Sequence, residues 1–172
     1  MLIRRESAKD IPAVAAVTTA AFRSERNPGP VETALLGELR EDPGWIPELS
    51  LVAVDPGGEV TGHVVCTRGR VGGTEAVGLG PISVRPDRQG RGVGSALMHA
   101  VLGAAEARNV PLVALLGEPR YYTRFGFRPS TDYRVTAPDP AWGPYFQIRA
   151  LAAWSDEIRG TFGYSEPFTR LT

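Results

Sequence analysis

Ile82-Ser83-Val84-Arg85-Pro86-Asp87-Arg88-Gln89-Gly90-Arg91-Gly92-Val93-Gly94-Ser95 sets three alternating glycines between a β-rich run and a segment of helical periodicity. Glycine tolerates positive φ and lets a ligand approach the main chain closely. The first amides of a helix beginning near Val93 have no intrahelical acceptor. Together with the amides of the turn they form a concavity for an anion, favoured by the positive end of the helix dipole. Arg88 and Arg91 can add charge from outside, and a pyrophosphate is a natural occupant. Two other phosphate sites fit less well. A Walker A loop needs Lys before the Ser, and Gly92-Val93-Gly94-Ser95 has none. A dinucleotide fingerprint needs a third glycine where Ser95 stands, and an acidic residue where Val110, Pro111 and Leu112 stand. A purely structural turn is the bland alternative.

Working outward, the run from about Ala76 to Val84 reads as a strand interrupted by Gly78, Gly80 and Pro81. A proline there removes a ladder donor and implies a bulge or missing pairing. Val93 to Ala107 reads as a helix with Val93, Leu97, Val101 and Ala104 on its apolar stripe. Leu112 to Leu116 is a short buried strand, and Tyr121 to Phe125 a short helix stopped by Gly126. On the other side, Leu49 to Val54 and Val60 to Thr67 flank Asp55-Pro56-Gly57-Gly58-Glu59 as a hairpin. Met1 to Arg5 supplies a strand. A helix follows, with Asp10 as N-cap, Pro12 in its first turn, and Ile11, Val14, Val17 and Ala21 at helical spacing. Residues 24–30 form a loop, and Val31 to Arg40 a second helix with Leu35, Leu36 and Leu39 inward. Further strands are expected at Phe146 to Leu151 and near Thr161 to Tyr164. The order suits an α/β architecture on a mixed sheet, with no internal repeat or linker to mark a second domain.

Composition narrows the function. The chain has 172 residues, 42 % hydrophobic and 22 % charged, as for one soluble domain. Nineteen basic residues balance nineteen acidic ones, without the basic excess of a nucleic-acid binder. Within the span from Arg85 to Gly94, however, Arg85, Arg88 and Arg91 face only Asp87. No run approaches a membrane span, and charges at Arg4, Arg5, Glu6, Lys9 and Asp10 interrupt any secretory signal, so the cytoplasm is the expected compartment. Cys66 is the sole cysteine and has no identified activating partner. His63 and His99 suggest no metal pair, and no metal site is expected.

With its turn between a bulged strand and a helix, the sequence resembles the acetyltransferases related to the Gcn5 histone acetyltransferase, the GNAT family. Gln89-Gly90-Arg91-Gly92-Val93-Gly94 matches the family's cofactor motif, and Leu79 to Val84 with Arg85-Pro86 matches the strand before it. Some thirty residues on, Tyr121-Tyr122-Thr123-Arg124-Phe125-Gly126-Phe127 matches a second motif, an aromatic-Tyr pair before Gly-Phe. The likeness is best over residues 1–130. The ending at 131–172, with Gly143-Pro144-Tyr145-Phe146 and Tyr164-Ser165-Glu166-Pro167-Phe168, resembles a bacterial subgroup of uncharacterised acetyltransferases.

The resemblance implies one N-acetyltransferase domain over 1–172, with a mixed, largely antiparallel sheet flanked by helices and splayed at a bulged fourth strand. It implies acetyl-CoA as acyl donor, its pantetheine paired with the main chain of Ile82 and Val84. Gln89, Gly90, Arg91, Gly92, Val93, Gly94 and Ser95 would wrap its pyrophosphate. It places the general acid at Tyr122, with Tyr121 a packing residue, and packing the short helix is the bland reading of Tyr122 as well. Transfer would be direct, in a ternary complex, to an amine of a small molecule or peptide. Homodimers are frequent in the family, and the aromatic tail offers a surface. The base that deprotonates the amine is open among Glu25, Glu32, Glu75 and Glu118. The acceptor is open too, with Trp45, Trp142, Tyr145, Phe146 and Trp154 as either an aromatic wall or core. Rival readings are an inactive acyl-CoA-binding sensor or interaction domain, which the presence of Tyr122 argues against, and a nucleotide-dependent enzyme.

Overall fold

A computed structural model describes residues 1–171. In chain order the elements are β1 Leu2–Arg5, α1 Ile11–Phe22, α2 Val31–Glu41, β2 Ser50–Val54, β3 Val60–Val71, β4 Thr74–Val84, α3 Val93–Ala107, β5 Leu112–Leu116, α4 Pro119–Tyr122, β6 Arg128–Pro129, β7 Val135–Thr136, β8 Phe146–Ala150, β9 Gly160–Gly163 and α5 Glu166–Thr169. The strands form a mixed sheet of order β1-β2-β3-β4-β5-β8-β6, with β9 joining the far end of β3 and β7 pairing β9. Its pairs are antiparallel except β4/β5 and β7/β9.

Strand periodicity sends alternate residues to opposite faces, and each face of the sheet has its own cover. On one, Val93, Leu97, Met98 and Val101 of α3 meet Val64, Cys66, Val77 and Val113. On the other, Val14 and Val17 of α1 and Leu36 of α2 meet Val52, Val54 and Val65. The tail aromatics form a third cluster, in which Phe146 and Phe162 are buried and Trp142, Trp154 and Tyr164 pack around them. The interruption that Gly78 makes in β4 thus has a packing reason. A Cβ at that position would lie 2.6 Å from the Tyr164 ring.

The expected bulge lies in β4. Val64 pairs with Ile82 and Cys66 with Leu79, so Gly80 and Pro81 together oppose Val65. Between β4 and β5 the register covers only Val77↔Val113 and Gly78↔Ala114, whereas β5 stays paired to β8 as far as Leu116. Beyond Gly78 the two parallel strands diverge, and the fourth strand is both bulged and splayed.

Several expectations need correction. Strand β3 runs to Val71, past the expected end at Thr67, because a Gly72-Gly73 turn folds it directly into β4. Asp10 precedes α1, but its carboxylate does not cap it. It accepts from the Ser7 N–H at 2.7 Å and from Arg4 at 2.7 and 2.9 Å, and the Arg4 bond holds its pKa far below the ordinary carboxylate value. The aromatic wall does not form as a unit. Phe146 is core, Trp45 stacks under Arg40, Trp142 and Trp154 pack in the tail cluster, and of the five only Tyr145 is half exposed.

A polar network is buried where α2 ends. Arg40 donates to Glu6 at 2.5 Å, Ser50 Oγ donates to Glu6 at 2.8 Å, and His63 Nε2 lies 2.9 Å from Ser50 Oγ. Burial lowers the His63 pKa from 6.5 to about 4, with Glu6 opposing the shift and Arg40 adding to it. The unfolded chain takes up this proton below pH 6.5 and the folded chain only near pH 4. Its contribution is therefore fully present above pH 6.5 and is lost as pH falls towards 4, by roughly 3 kcal/mol. Urea unfolding of wild type and His63→Leu between pH 7 and 4 checks this. The variant should show the shallower pH dependence, and equal slopes would rule the account out.

Candidate active site

The divergence of β4 from β5 leaves one edge of β4 free. Arg85 N–H donates to Thr61 O at 2.8 Å, so the 61/85 pair is a hydrogen-bonded one. Antiparallel ladders alternate, and the register runs on through 62/84, 63/83 and 64/82. The backbone groups of Ile82 and Val84 therefore face away from β3, into the gap. Gln89 Nε2 occupies one of them, donating to Val84 O at 3.0 Å. That bond folds the turn back onto the strand end and accounts for a glutamine at its start.

The turn then takes the conformation its glycines allow. Gly90 has φ 73° and Gly92 φ 85°, both left-handed. The helical ladder begins with Ala96 N–H donating to Gly92 O at 3.0 Å. The amides of Val93, Gly94 and Ser95 are left without a helical acceptor at the mouth of α3. A cleft of about 640 Å³ opens here, a size suited to a small-molecule ligand.

Seven of the nine residues expected around a donor line this cleft: Ile82, Val84, Gln89, Gly90, Gly92, Gly94 and Ser95. Val93 turns its side chain into the core and Arg91 is exposed, so neither side chain forms part of the wall. Ala21 and Phe22 from the end of α1, Ser83, Arg88, Tyr121 and Arg124 complete it. A Thr18 to Ser83 hydroxyl contact of 3.2 Å ties the end of α1 to the strand. The local basic excess shrinks in three dimensions. Glu59 and Asp55 of the β2–β3 turn reach Arg85 at 3.2 Å and Arg88 at 3.3 Å.

Of the two tyrosines, Tyr121 lines the cleft and Tyr122 does not. Tyr121 stands at the turn, where its hydroxyl would lie 2.8 Å from a Cβ at Gly94, and Arg124 lies 4.9 Å over its ring. Tyr122 covers Gly117, just past the end of β5, with its ring 6.0 Å from Phe127. Gly117 is held from both sides by its N–H to Tyr145 O (2.9 Å) and its carbonyl to Gln147 Nε2 (3.0 Å). Both rings pack inward on the α3 side, edge to face at 4.9 Å. Burial, with a smaller contribution from Tyr121, pushes the Tyr122 phenol up to about 12. Cys66 is fully buried and its thiol pKa is raised by desolvation, which leaves no reactive thiolate.

Residues 2–130 match the acetyltransferase (GNAT) domain family. Over 176 aligned residues the chain is 33 % identical to the uncharacterised N-acetyltransferase YhbS of Escherichia coli, covering 99 % of this chain and 100 % of that one. The crystal structure of E. coli YhbS in complex with CoA superposes with a TM-score of 0.87 at 30 % identity, covering 99 % of this chain and 93 % of that one. A GNAT-family acetyltransferase from Brucella melitensis in complex with acetyl-CoA gives a TM-score of 0.79 at 33 % identity, covering 97 % of each chain. The chain belongs to the GNAT family of acetyltransferases.

Proposed function

We propose that the chain works as one N-acetyltransferase domain, moving an acetyl group from acetyl-CoA to a primary amine in a direct ternary complex. The observation that carries this is the continuous path from the unpaired edge of β4, at Ile82 and Val84, to the open amides at the start of α3. An extended pantetheine needs a strand edge with free backbone groups, and a pyrophosphate needs clustered N–H donors. The two relatives solved with CoA and acetyl-CoA support the same donor. In this reading Ile82 and Val84 pair with the pantetheine, and residues 89 to 95 hold the pyrophosphate through their amides. The amine attacks the thioester carbonyl, a backbone N–H beside the bulge steadies the oxyanion, and Tyr122 protonates the departing thiolate.

The cytoplasm is the compartment we assign, in keeping with a single, buried cysteine and no intrachain disulfide. No helix among the described residues is long and apolar enough to cross a membrane. A homodimer built on the tail would draw on Tyr145 and Leu171, which are exposed, since most tail aromatics already pack in their own cluster.

Turnover with acetyl-CoA on a panel of alkylamines, an aminoglycoside, amino acids and peptide N-termini, read as thiol release, tests the reading. At least one amine should raise thiol release well above acetyl-CoA hydrolysis. Tight acetyl-CoA binding with no turnover on any of them would favour the sensor alternative.

A further inference from the structure

Among the described residues, two buried side-chain atoms have no hydrogen-bond partner, His63 Nδ1 and Glu32 Oε2. A carboxylate oxygen shut away from water without a donor is costly, and such an atom needs an explanation. The placement of α2 supplies one. Its last turn is fixed at the β1–β2 side of the sheet, where Arg40 meets Glu6 and Glu6 meets Ser50. Its first turn is fixed beside the end of α1 by a Thr19 to Thr33 hydroxyl contact of 2.8 Å, and Thr18 next to it touches Ser83 of β4. The helix therefore runs from the end of α1, which meets β4 at Ser83, to the β1–β2 side of the sheet. Leu36 packs in one cluster with Val65, the residue that Gly80 and Pro81 oppose at the bulge. Glu32 lies one turn earlier on the same face. This is the face of the bulge opposite α3.

The other acidic residues that the sequence offered stand elsewhere. Glu75 is at the hairpin end of β4, exposed and paired to Arg68 at 3.3 Å. Glu25 is exposed in the loop before α2. Glu118 is exposed and caps α4 through the Arg120 N–H at 3.4 Å.

We propose that Glu32 receives the acceptor's ammonium group and takes its proton, so that the acceptor class is a primary amine arriving as its cation. This rests on the amine-acetylation reading above. One ammonium proton passes to Glu32 Oε2, and the freed lone pair forms the C–N bond at the thioester carbon. The C–S bond then breaks and the thiolate takes the Tyr122 proton. As it does so, the second nitrogen proton, acidic once the C–N bond exists, replaces it on Tyr122 through water. Glu32 releases its proton to solvent, leaving amide, free CoA thiol and one proton.

The test compares wild type, Glu32→Gln and Glu32→Asp on 2-phenylethylamine, cationic at pH 7, and on 4-methylaniline, which is neutral there. For the cationic amine kcat/KM at pH 7 should fall roughly 10-fold to 100-fold in Glu32→Gln, the lower part of what a positioned base contributes. The deficit should narrow towards pH 9 as free amine accumulates. Glu32→Asp should recover part of the rate, the aniline should be affected little, and acetyl-CoA should bind all three proteins alike. A purely structural role would depress both amines equally and overturns the proposal, as does a Glu32→Gln enzyme retaining more than half of wild-type kcat/KM. Wild type that acetylates only the aniline refutes the Glu32 assignment while amine acetylation stands. If wild type acetylates neither amine, calorimetry of 2-phenylethylammonium on the CoA-loaded protein decides for Glu32. Binding lost in Glu32→Gln supports it, and equal or absent binding in both proteins overturns it.

Discussion

Gly94→Asp should weaken acetyl-CoA binding roughly 30-fold to 700-fold, while Gly103→Asp in the same helix leaves it unchanged. The range follows from Coulomb's law. A carboxylate about 4 Å from one phosphate charge costs roughly 4 kcal/mol at an effective dielectric of 20, and about half of that with screening at an open turn. Gly94 lies on the cleft wall with its N–H at the mouth of α3. Gly103 is exposed two to three turns on, with nothing within 4 Å of its Cβ position. Both substitutions put a carboxylate on the same helix, but only the one at Gly94 puts it at the turn. Gly92→Asp is the less clean probe, because φ 85° strains an L residue there and mixes folding into binding. Gly94→Ala separates size from charge. Its Cβ would lie 2.8 Å from the Tyr121 hydroxyl, the movable end of a side chain, so a small effect is expected. Calorimetry with acetyl-CoA, alongside thermal melts, measures all four. Equal affinity in Gly94→Asp and Gly103→Asp would remove the turn from the donor site.

Which parts of this site are legible in the sequence follows from the range of the forces that make them. The turn is written locally. Glycines at positive φ, the helix start at Val93 and the proline that bulges β4 each depend on neighbours a few residues away, and helix α3 has the expected bounds. The free edge at Ile82 and Val84 came from the resemblance, and it follows here from the register and one bond, Arg85 to Thr61. What the sequence hides is set by distant segments. Asp55 and Glu59 reach Arg88 and Arg85 only because the β2–β3 turn folds beside the glycine turn. Phe22 reaches the cleft because α1 crosses the sheet, and Arg124 because α4 returns to the start of α3. The tail aromatics carry no periodic signal of their own. They become core because β8 and β9 bring them together over Gly78. The four candidate carboxylates are likewise equivalent in sequence and become distinct only through the course of α2.

Tyr122→Phe should lower kcat on the best acceptor by on the order of 10²–10³ while the affinity for acetyl-CoA stays within about twofold. Phenylalanine keeps the ring over Gly117 and its contact with Phe127, so packing and fold are preserved. The hydroxyl alone is lost, and Tyr122 covers Gly117, just past the end of β5, the strand from which β4 parts. Tyr121 stands at the phosphate end instead, and Tyr121→Phe should change kcat several-fold less. With its phenol pushed up to about 12, Tyr122 is a weak acid towards a thiol of reference pKa near 8.5. Full transfer to the thiolate before any compensating step would be uphill. The hydroxyl is effective as a relay, giving its proton to sulfur as it recovers one from the acetylated nitrogen, and this places the expected effect at the low end for a general acid. The same elevation fixes the pH dependence. The phenol stays protonated across pH 6 to 9, so Tyr122 introduces no alkaline fall in kcat there, and wild type and Tyr122→Phe should run parallel through that range. Turnover numbers of both variants from pH 6 to 9 decide the matter. A Tyr122→Phe enzyme keeping more than half of wild-type kcat throughout would exclude Tyr122 as the acid. Loss confined to Tyr121→Phe would move that role one residue back and leave the reaction class intact.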